Sequence, residues 1–395
     1  MSYAYDEAKK QVALTVKQTQ KREGPVGLFQ VPADVEITTA SGPKLYPIHV
    51  TQESEVFTFP ADSTPLMVLF DRGTQVLKSM QFKKEKKELL YQLKNAGEVA
   101  DRADAAEALG RIKDDEVAIA LGDALHNDKS AGLRRTAAEA LGEIGSAAAA
   151  KQLLAGLDTA MEPWLRGAIV QALENFKDDQ MVLARLQSVA REDSSFRARG
   201  AALRAIGRMK SPGAYETLMA AVNADSPDGF LRIAALHGLG SLGEEKALPV
   251  LREWAAPGRD TDAREAAISG LARLQKDNKE LTQEVAGYLH DSHFPIRRTT
   301  VYALGLRGDA SAIPALEAML QSKTLSIEME PTIKEQIERL KNPSAKGGAH
   351  GTAQPESSAT AKPNEDERLS RLEQLVQEMN DRLKEIERRL PAPKQ

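Results

Sequence analysis

The sequence predicts a mainly α protein: an α-solenoid of helix pairs, preceded by a small antiparallel β-sandwich and followed by a C-terminal coiled-coil helix. Three observations carry this expectation. An arginine-led pattern returns every 32 or 33 residues from Arg102 to Arg297. Short runs that alternate apolar and polar residues occupy residues 1–82. Apolar residues then step by threes and fours from Leu369 to Leu390. The expected boundaries are 1–82 for the sandwich, 83–340 for the solenoid, 341–366 for a flexible linker and 367–390 for the coil.

In the sandwich segment, Gln11–Gln18 (QVALTVKQ) has the period-two pattern of a strand buried on one face. Val35–Thr38 and Val56–Phe59 repeat it in shorter form. Pro65–Asp71 (PLMVLFD) is apolar on both faces, as suits a central strand. Turn formers separate these runs at Arg22–Pro25, Ser41–Pro43, Pro60–Asp62 and Asp71–Gly73.

The repeating unit reads Arg-x-x-small-apolar-x-small-Leu/Ile, in most units followed by Gly, and it is led by Arg102, Arg134, Arg166, Arg199, Arg232, Arg264 and Arg297. The seven arginines are spaced 32, 32, 33, 33, 32 and 33 residues apart. A period held that closely is the mark of a solenoid, whose two-helix units bury their apolar faces only by stacking. Each unit has a first helix with alanines on its packing face and a glycine near its end, the residue that closes helices in left-handed conformation. A second helix follows, as in Ala147–Leu157, Ala214–Val222 and Ala312–Leu320. Each arginine falls in the first turn of its helix, where the macrodipole disfavours a cation. Asp128, Asp193, Asp228, Asp260 and Asp291 stand just upstream, and they are expected to serve as N-caps or as ladder partners that neutralise the arginines rather than to frame a row of anion sites.

Residues 341–366 have no apolar periodicity and are rich in Gly, Ser, Ala and Pro, as a linker would be. In residues 367–390, Leu369, Val376, Leu383 and Leu390 fall at heptad position a and Leu372, Met379 and Ile386 at d. Arg382 at g and the following Glu387 at e would pair across a parallel two-stranded coil, so this segment is expected to self-associate, with packing on another partner or a solitary amphipathic tail as alternatives.

The chain has 395 residues, with 53 Lys and Arg against 57 Asp and Glu, a net charge of −4. That balance offers no broad electrostatic footprint for nucleic acid or an anionic membrane. The absence of cysteine excludes a disulfide scaffold, a thiolate zinc site and a cysteine nucleophile. No apolar run follows the charges of Met1–Lys10, so no signal peptide is expected, and no stretch reaches the roughly 18–20 apolar residues of a membrane span. The expected compartment is the cytoplasm, or the periplasm or exterior if Met1 is not the true start.

Candidate chemistry is sparse, and no catalytic, cofactor-binding or metal-ligating residue is assigned. None of the six histidines begins an H-E-x-x-H motif. His290 and His293 have ligand-like spacing, but two ligands without a third read as a solvated turn beside Asp291. Phosphate-loop, dinucleotide and nucleophile-elbow motifs are absent. The mixed-sign run Lys83–Glu88 is expected to be a solvated helix face. Trp164 and Trp254 are expected to pack, with a binding hot spot as the minor alternative.

At this point the residues resemble a known family. Tyr5–Gln20 (YDEAKKQVALTVKQTQ) is similar to the strand that opens the domain after the catalytic region of zinc aminopeptidases, the family of aminopeptidase N and the leukotriene hydrolases. Phe57–Pro60, Pro65–Asp71 and Val76–Lys78 resemble that family's β-sandwich, and Leu89–Leu93 resembles the helix leading into its helical domain. The units from Arg102 to Leu304 resemble HEAT repeats of the short Ala-Leu-Gly type. The resemblance implies a helical region that covers a peptidase cleft and limits substrate size. It transfers no catalytic residue, because the family's H-E-x-x-H, later Glu, G-x-M-E-N stretch and tyrosine are not found here. The expectation is a non-catalytic scaffold or accessory region, with protein partners on the solenoid surface. The alternative is a split-gene half or fragment of an active metallopeptidase whose zinc domain lies upstream. The little sequence before Tyr3 prompts that alternative. A chromophore-lyase-like enzyme has no residue in its favour beyond the repeat.

Overall fold

The computed structural model describes residues 1–20, 27–322 and 328–342, all within one unit, Met1–Asn342. The expected turn at Arg22–Pro25, the linker from residue 343 onward and the heptads of 367–390 lie outside the described residues.

Six strands come first: β1 (Ser2–Asp6), β2 (Gln11–Lys17), β3 (Val31–Thr39), β4 (Gly42–Val50), β5 (Ser54–Pro60) and β6 (Met67–Phe70). They form two antiparallel three-stranded sheets, ordered β1-β2-β5 and β4-β3-β6. Val12, Leu14 and Val16 of β2 and Phe59 of β5 share one core with Val35 and Ile37 of β3 and Val68 and Phe70 of β6. The two sheets therefore face each other across a common interior, as period-two alternation requires. Strands β1 and β4 went unrecognised in the sequence. β4 carries Pro43 and Pro47, and a proline is tolerated there because β4 lies at a sheet edge.

The helices follow without interruption by strand. They are α1 (Lys86–Asn95), α2 (Val99–Gly110), α3 (Asp115–Asn127), α4 (Ala131–Ile144), α5 (Ala147–Thr159) and α6 (Pro163–Leu173). Next come α7 (Gln180–Glu192), α8 (Phe196–Arg208), α9 (Ala214–Val222), α10 (Phe230–Leu242) and α11 (Leu248–Ala255). The last are α12 (Thr261–Leu271), α13 (Lys279–Gly287), α14 (Phe294–Arg307), α15 (Ile313–Leu320) and α16 (Met329–Lys341). The seven repeat arginines lie on the even-numbered helices α2 to α14. Those helices stack on one another as a row, and the odd-numbered helices back them. Alanines and leucines at positions such as Ala137, Ala138, Leu141, Ala202, Leu203 and Ile206 are fully buried in one continuous core that runs from Leu89 to Leu340. No helix among the described residues is long and apolar enough to cross a membrane.

The repeat glycines do not close their helices as expected. Gly142 lies inside α4, where a Cβ would stand 3.1 Å from the Ala172 Cα of α6. The left-handed cap comes three residues later, at Gly145 (φ 67°). In α10 the corresponding pair is Gly240, whose Cβ would stand 2.4 Å from the Gly270 Cα, and Gly243 (φ 77°). The repeat glycine thus makes room for the neighbouring helix, and in α4, α10 and α14 a second glycine ends the helix, whereas α2 and α8 end at Arg111 and Met209.

The run Lys83–Glu88 also departs from expectation. Lys83, Glu85 and Lys87 are exposed, but Lys84 and Glu88 turn inward. Glu88 accepts hydrogen bonds from the backbone N–H of Val68 (3.0 Å) and the hydroxyl of Tyr3 (2.9 Å). Lys84 donates to Oε1 of Gln92 (2.6 Å), and Nε2 of Gln92 in turn donates to the Asp101 carbonyl (2.6 Å). Burial holds the lysine's pKa below its ordinary value, against the pull of Glu88. Burial, together with Glu88, raises that of Tyr3. These charges join the sandwich to the first helices, which is why they are out of water.

Candidate functional site

The arginine row is a structural ladder, and its geometry explains how a cation is tolerated at a helix start. A full rung has two ends, as at Arg102, Arg166 and Arg264, whereas Arg199, Arg232 and Arg297 show the carbonyl end and Arg134 the carboxylate end. Toward the unit before it the arginine donates to carbonyls at the C-terminal end of the preceding odd-numbered helix: Arg102 to Ala96 (3.0 Å), Arg166 to Ala160 (3.3 Å), Arg232 to Val222 (3.0 Å) and Arg264 to Ala255 (3.1 Å). That end of a helix carries the partial negative charge of its dipole, so it offsets the unfavourable position. Toward the next unit, Arg102 meets Asp128 (3.0 and 3.2 Å), Arg134 meets Glu162, Arg166 meets Asp193 and Arg264 meets Asp291 (2.5 and 3.4 Å).

The upstream aspartates therefore serve mostly the arginine of the unit before. Asp128, Asp193 and Asp291 also accept the backbone N–H of Ser130, Ser195 and His293, fixing the turn into the next helix. Asp260 is an N-cap, accepting from Asp262 and Ala263. Asp228 is neither cap nor rung: it sits exposed in a turn at φ 49°. Its unit uses a different device, in which the guanidinium groups of Arg232 and Arg259 both lie over the Trp254 ring, 4.3 and 4.6 Å from its centroid. Trp164 and Trp254 are half-buried against the core.

The histidines do not converge. His49 is on β4, His126 ends α3 and His237 lies in α10. His293 precedes α14 with its ring 3.1 Å from Asp291, and His290 is exposed. His350 is outside the described residues. No group of three or more His, Asp or Glu side chains that could hold a metal ion occurs among the described residues. A hollow of about 160 Å³ is lined by His126, Arg134, Met161 and Glu162, and another of about 150 Å³ by Arg298, Tyr302 and Met329. Both are below the ~300 Å³ at which small-molecule sites begin.

What the even-numbered row does present is a change of charge along its outer face. Five residues after successive repeat arginines stand Glu107, Glu139, Gln171, Arg204 and His237. Nine residues after them, Glu143 on α4 gives way to Arg208 on α8 and Arg273 beyond the end of α12. The acidic part is partly self-paired, through Arg111–Glu107 and Arg135–Glu139. In the basic part Arg208 pairs with Glu174 through two nitrogens. The side chains of Arg204 and Arg273 have no ion pair or hydrogen bond among the described residues. Arg204 is half-buried and Arg273 exposed. Burial and the neighbouring Arg208 push the pKa values of both below the ordinary arginine range. His237, half-buried between them, is held at about 4 by burial and by the cations of Arg204, Arg273 and Arg208, so its ring is neutral at pH 7. Reading the sequence by repeat register, with outward positions aligned from unit to unit, is the signal that finds this cluster.

Comparison with known proteins agrees with the architecture. A family model described as HEAT repeats matches residues 87–174, 183–272 and 257–328, more than half of the chain. No curated protein matches the sequence. Among solved structures, the chain is similar to an aminopeptidase A of Legionella pneumophila in complex with aspartic acid, with 14% identity and a TM-score of 0.48, over 86% of this chain and 44% of that one. The chain thus spans less than half the length of that enzyme. It is also similar to human deoxyhypusine hydroxylase in complex with glycerol (21% identity, TM-score 0.31, 65% and 94% covered). A third likeness is to the complex of CpcE and CpcF of phycocyanin lyase from Nostoc sp. (19% identity, TM-score 0.34, 67% and 98% covered). All three TM-scores lie below 0.5, and none carries an argument about what this chain does.

Proposed function

The chain belongs to the HEAT-repeat family, and from that premise we propose that it is a non-catalytic scaffold that binds protein partners on the outer face of its even-numbered helices. The observation that supports this reading is the division of labour among arginines. Those of the ladder are consumed by structure, whereas the side chains of Arg204 and Arg273 on the outer face make no ion pair or hydrogen bond among the described residues. A solenoid displays one row of helices over many units, so outward positions add up to an extended surface. The heptads of residues 367–390 would pair two copies of such a surface.

A second reading makes the chain an accessory region of a zinc aminopeptidase, capping a cleft or completing an enzyme encoded upstream. It is favoured by the stretches that resemble that family. Gln11–Lys17, Ser54–Pro60 and Met67–Phe70 are β2, β5 and β6, and the sandwich they build is joined to α1 by buried polar contacts. One measurement tests the non-catalytic assignment and a second separates the readings. The purified chain supplied with zinc is expected to leave aminoacyl arylamides intact, and zinc-dependent turnover that tracks with it through purification overturns the non-catalytic assignment. An immunoblot of source-cell extract against residues 100–340, with peptide mapping, is expected to show a band near 43 kDa for the scaffold. A band about twice that size, with upstream peptides, selects the peptidase reading.

A further inference from the structure

The basic spot on α8, α10 and α12 has a cause in the packing. Gly207 of α8 is so close to α10 that a Cβ would stand 2.3 Å from the Gly238 carbonyl oxygen, and Gly240 of α10 is equally tight on Gly270 of α12. These two approaches bring three helix backbones to contact near their C-terminal halves. Arg204 and Arg208 flank Gly207, His237 adjoins Gly238 and Arg273 follows Gly270 by three residues. Helices this close press like charges together, and among the described residues Glu174 is the one carboxylate that engages them, already held by two nitrogens of Arg208. Arg204 and His237 are half-buried and Arg273 is exposed. The ladder shows what this chain does with an arginine needed for folding: it gives it carbonyls, a carboxylate or both. Arg204 and Arg273 receive neither.

We propose that Arg204, His237 and Arg273, with Arg208 at their side, form a docking site for a short acidic segment of a protein partner, taking two or three carboxylates. The proposal rests on the scaffold reading and gives it a partner chemistry. Guanidinium groups bind carboxylates through paired N–H donors, and a neutral imidazole adds a single donor between them. The spot is small and bounded along the row: Glu107, Glu139 and Glu143 stand on the units before it, and Asp262 and Glu265 on α12. A nucleic acid backbone needs a basic stripe that follows its phosphates, and here it would run onto glutamates within a few helix widths. An acidic peptide segment of a few residues fits inside that boundary.

The test uses the full chain and a fluorescein-labelled hexaglutamate peptide, read by fluorescence anisotropy at low and at physiological salt. The peptide is expected to bind more weakly as salt rises. The double variant R204Q/R273Q is expected to lose at least about tenfold in affinity. R204K/R273K, which keeps the charge, is expected to retain most of it. K113Q, which removes a positive charge from an exposed position outside the spot, is expected to change nothing. In NMR of the protein labelled at histidine, the His237 ring signal is expected to shift on addition of the peptide while that of His126 stays. Circular dichroism of R204Q/R273Q is expected to match the wild type, because glutamine keeps much of each side chain's stem and no ion pair or side-chain hydrogen bond among the described residues is lost. Equal affinity of R204Q/R273Q and wild type, or an unmoved His237 signal at saturating peptide, overturns the proposal. So does tighter binding of a single-stranded oligonucleotide that displaces the peptide. A partner recovered equally by the wild type and R204Q/R273Q would leave the scaffold reading standing and remove the acidic site.

Discussion

Arg264 and Asp291 form a rung between successive units, with Nη2 of the arginine 2.5 Å from Oδ2 of the aspartate, and the arginine side chain is only 2% exposed. The same guanidinium donates through Nε to the Ala255 carbonyl. Its charge is therefore compensated on two sides without water. Replacing Arg264 by Met leaves Asp291 in a nearly closed position without its cation, which costs about 3–5 kcal/mol. Adding Asp291→Asn to that variant removes the orphaned charge and is expected to restore part of the loss, since Asn can still accept from the backbone of His293. Urea midpoints of the wild type, the two single variants and the double variant give the coupling. Additive effects would mean that the pair is not energetically linked.

The same pair sets an acid limit. The hydrogen bond from Arg264 holds the Asp291 carboxyl at about 2, below its ordinary 3.8. A carboxyl whose pKa is lowered by folding contributes stability that is fully present above the unfolded value and is lost as pH falls through the folded one. Stability is therefore expected to drop between about pH 4 and pH 2, with Asp291→Asn showing a shallower slope in that window. Denaturant midpoints measured across it check the sign; equal slopes would sink the assignment to Asp291.

The solenoid was legible because seven units repeat the same physical solution, so Ala137, Ala138 and Leu141 announce their burial in every copy of the pattern. The pairing of the ladder was not, because Asp128 is read beside Arg134 in sequence yet binds Arg102, 26 residues back. Only stacking one unit on the next brings those groups together. β4 was hidden by Pro43 and Pro47, which contradict strand propensity and are harmless at an edge. Lys84 and Glu88 look like any solvated helix start, and nothing in their spacing says that the sandwich lies against them. The cluster of Arg204, His237 and Arg273 is likewise invisible residue by residue. It takes the register of three units and the closeness of Gly207 to Gly238 to make it one site.

That closeness makes its own prediction. Alanine normally improves a helix interior over glycine by up to about 1 kcal/mol. At Gly207 the added methyl would meet the backbone of α10 at 2.3–2.8 Å, where no flexible side chain can give way. Gly207→Ala is expected to destabilise by about 1–3 kcal/mol net, as overpacked cores do. Gly167, whose nearest neighbour is Cγ of Arg197 at 3.7 Å, has room, and Gly167→Ala is expected to be neutral or stabilising. Thermal melts of the two variants side by side decide the matter, since propensity alone would move both upward.

The joint between sandwich and solenoid depends on one carboxylate. Glu88 accepts from the Val68 backbone and from Tyr3, and it lies 3.8 Å from the buried ammonium of Lys84. Glu88→Ala strands two donors and a cation at once, at a cost of about 2–4 kcal/mol. Tyr3→Phe removes a single donor and leaves Glu88 bound to Val68, so its cost is expected to be about 1 kcal/mol. Because β6 and α1 meet through this side chain, the loss should be local first. Hydrogen exchange is expected to speed at Val68 and along β6 in Glu88→Ala, while amides of α8 and α10 keep their wild-type protection. Uniform acceleration along the whole chain would instead mean that the sandwich and the helices unfold as one unit, with Glu88 contributing to both.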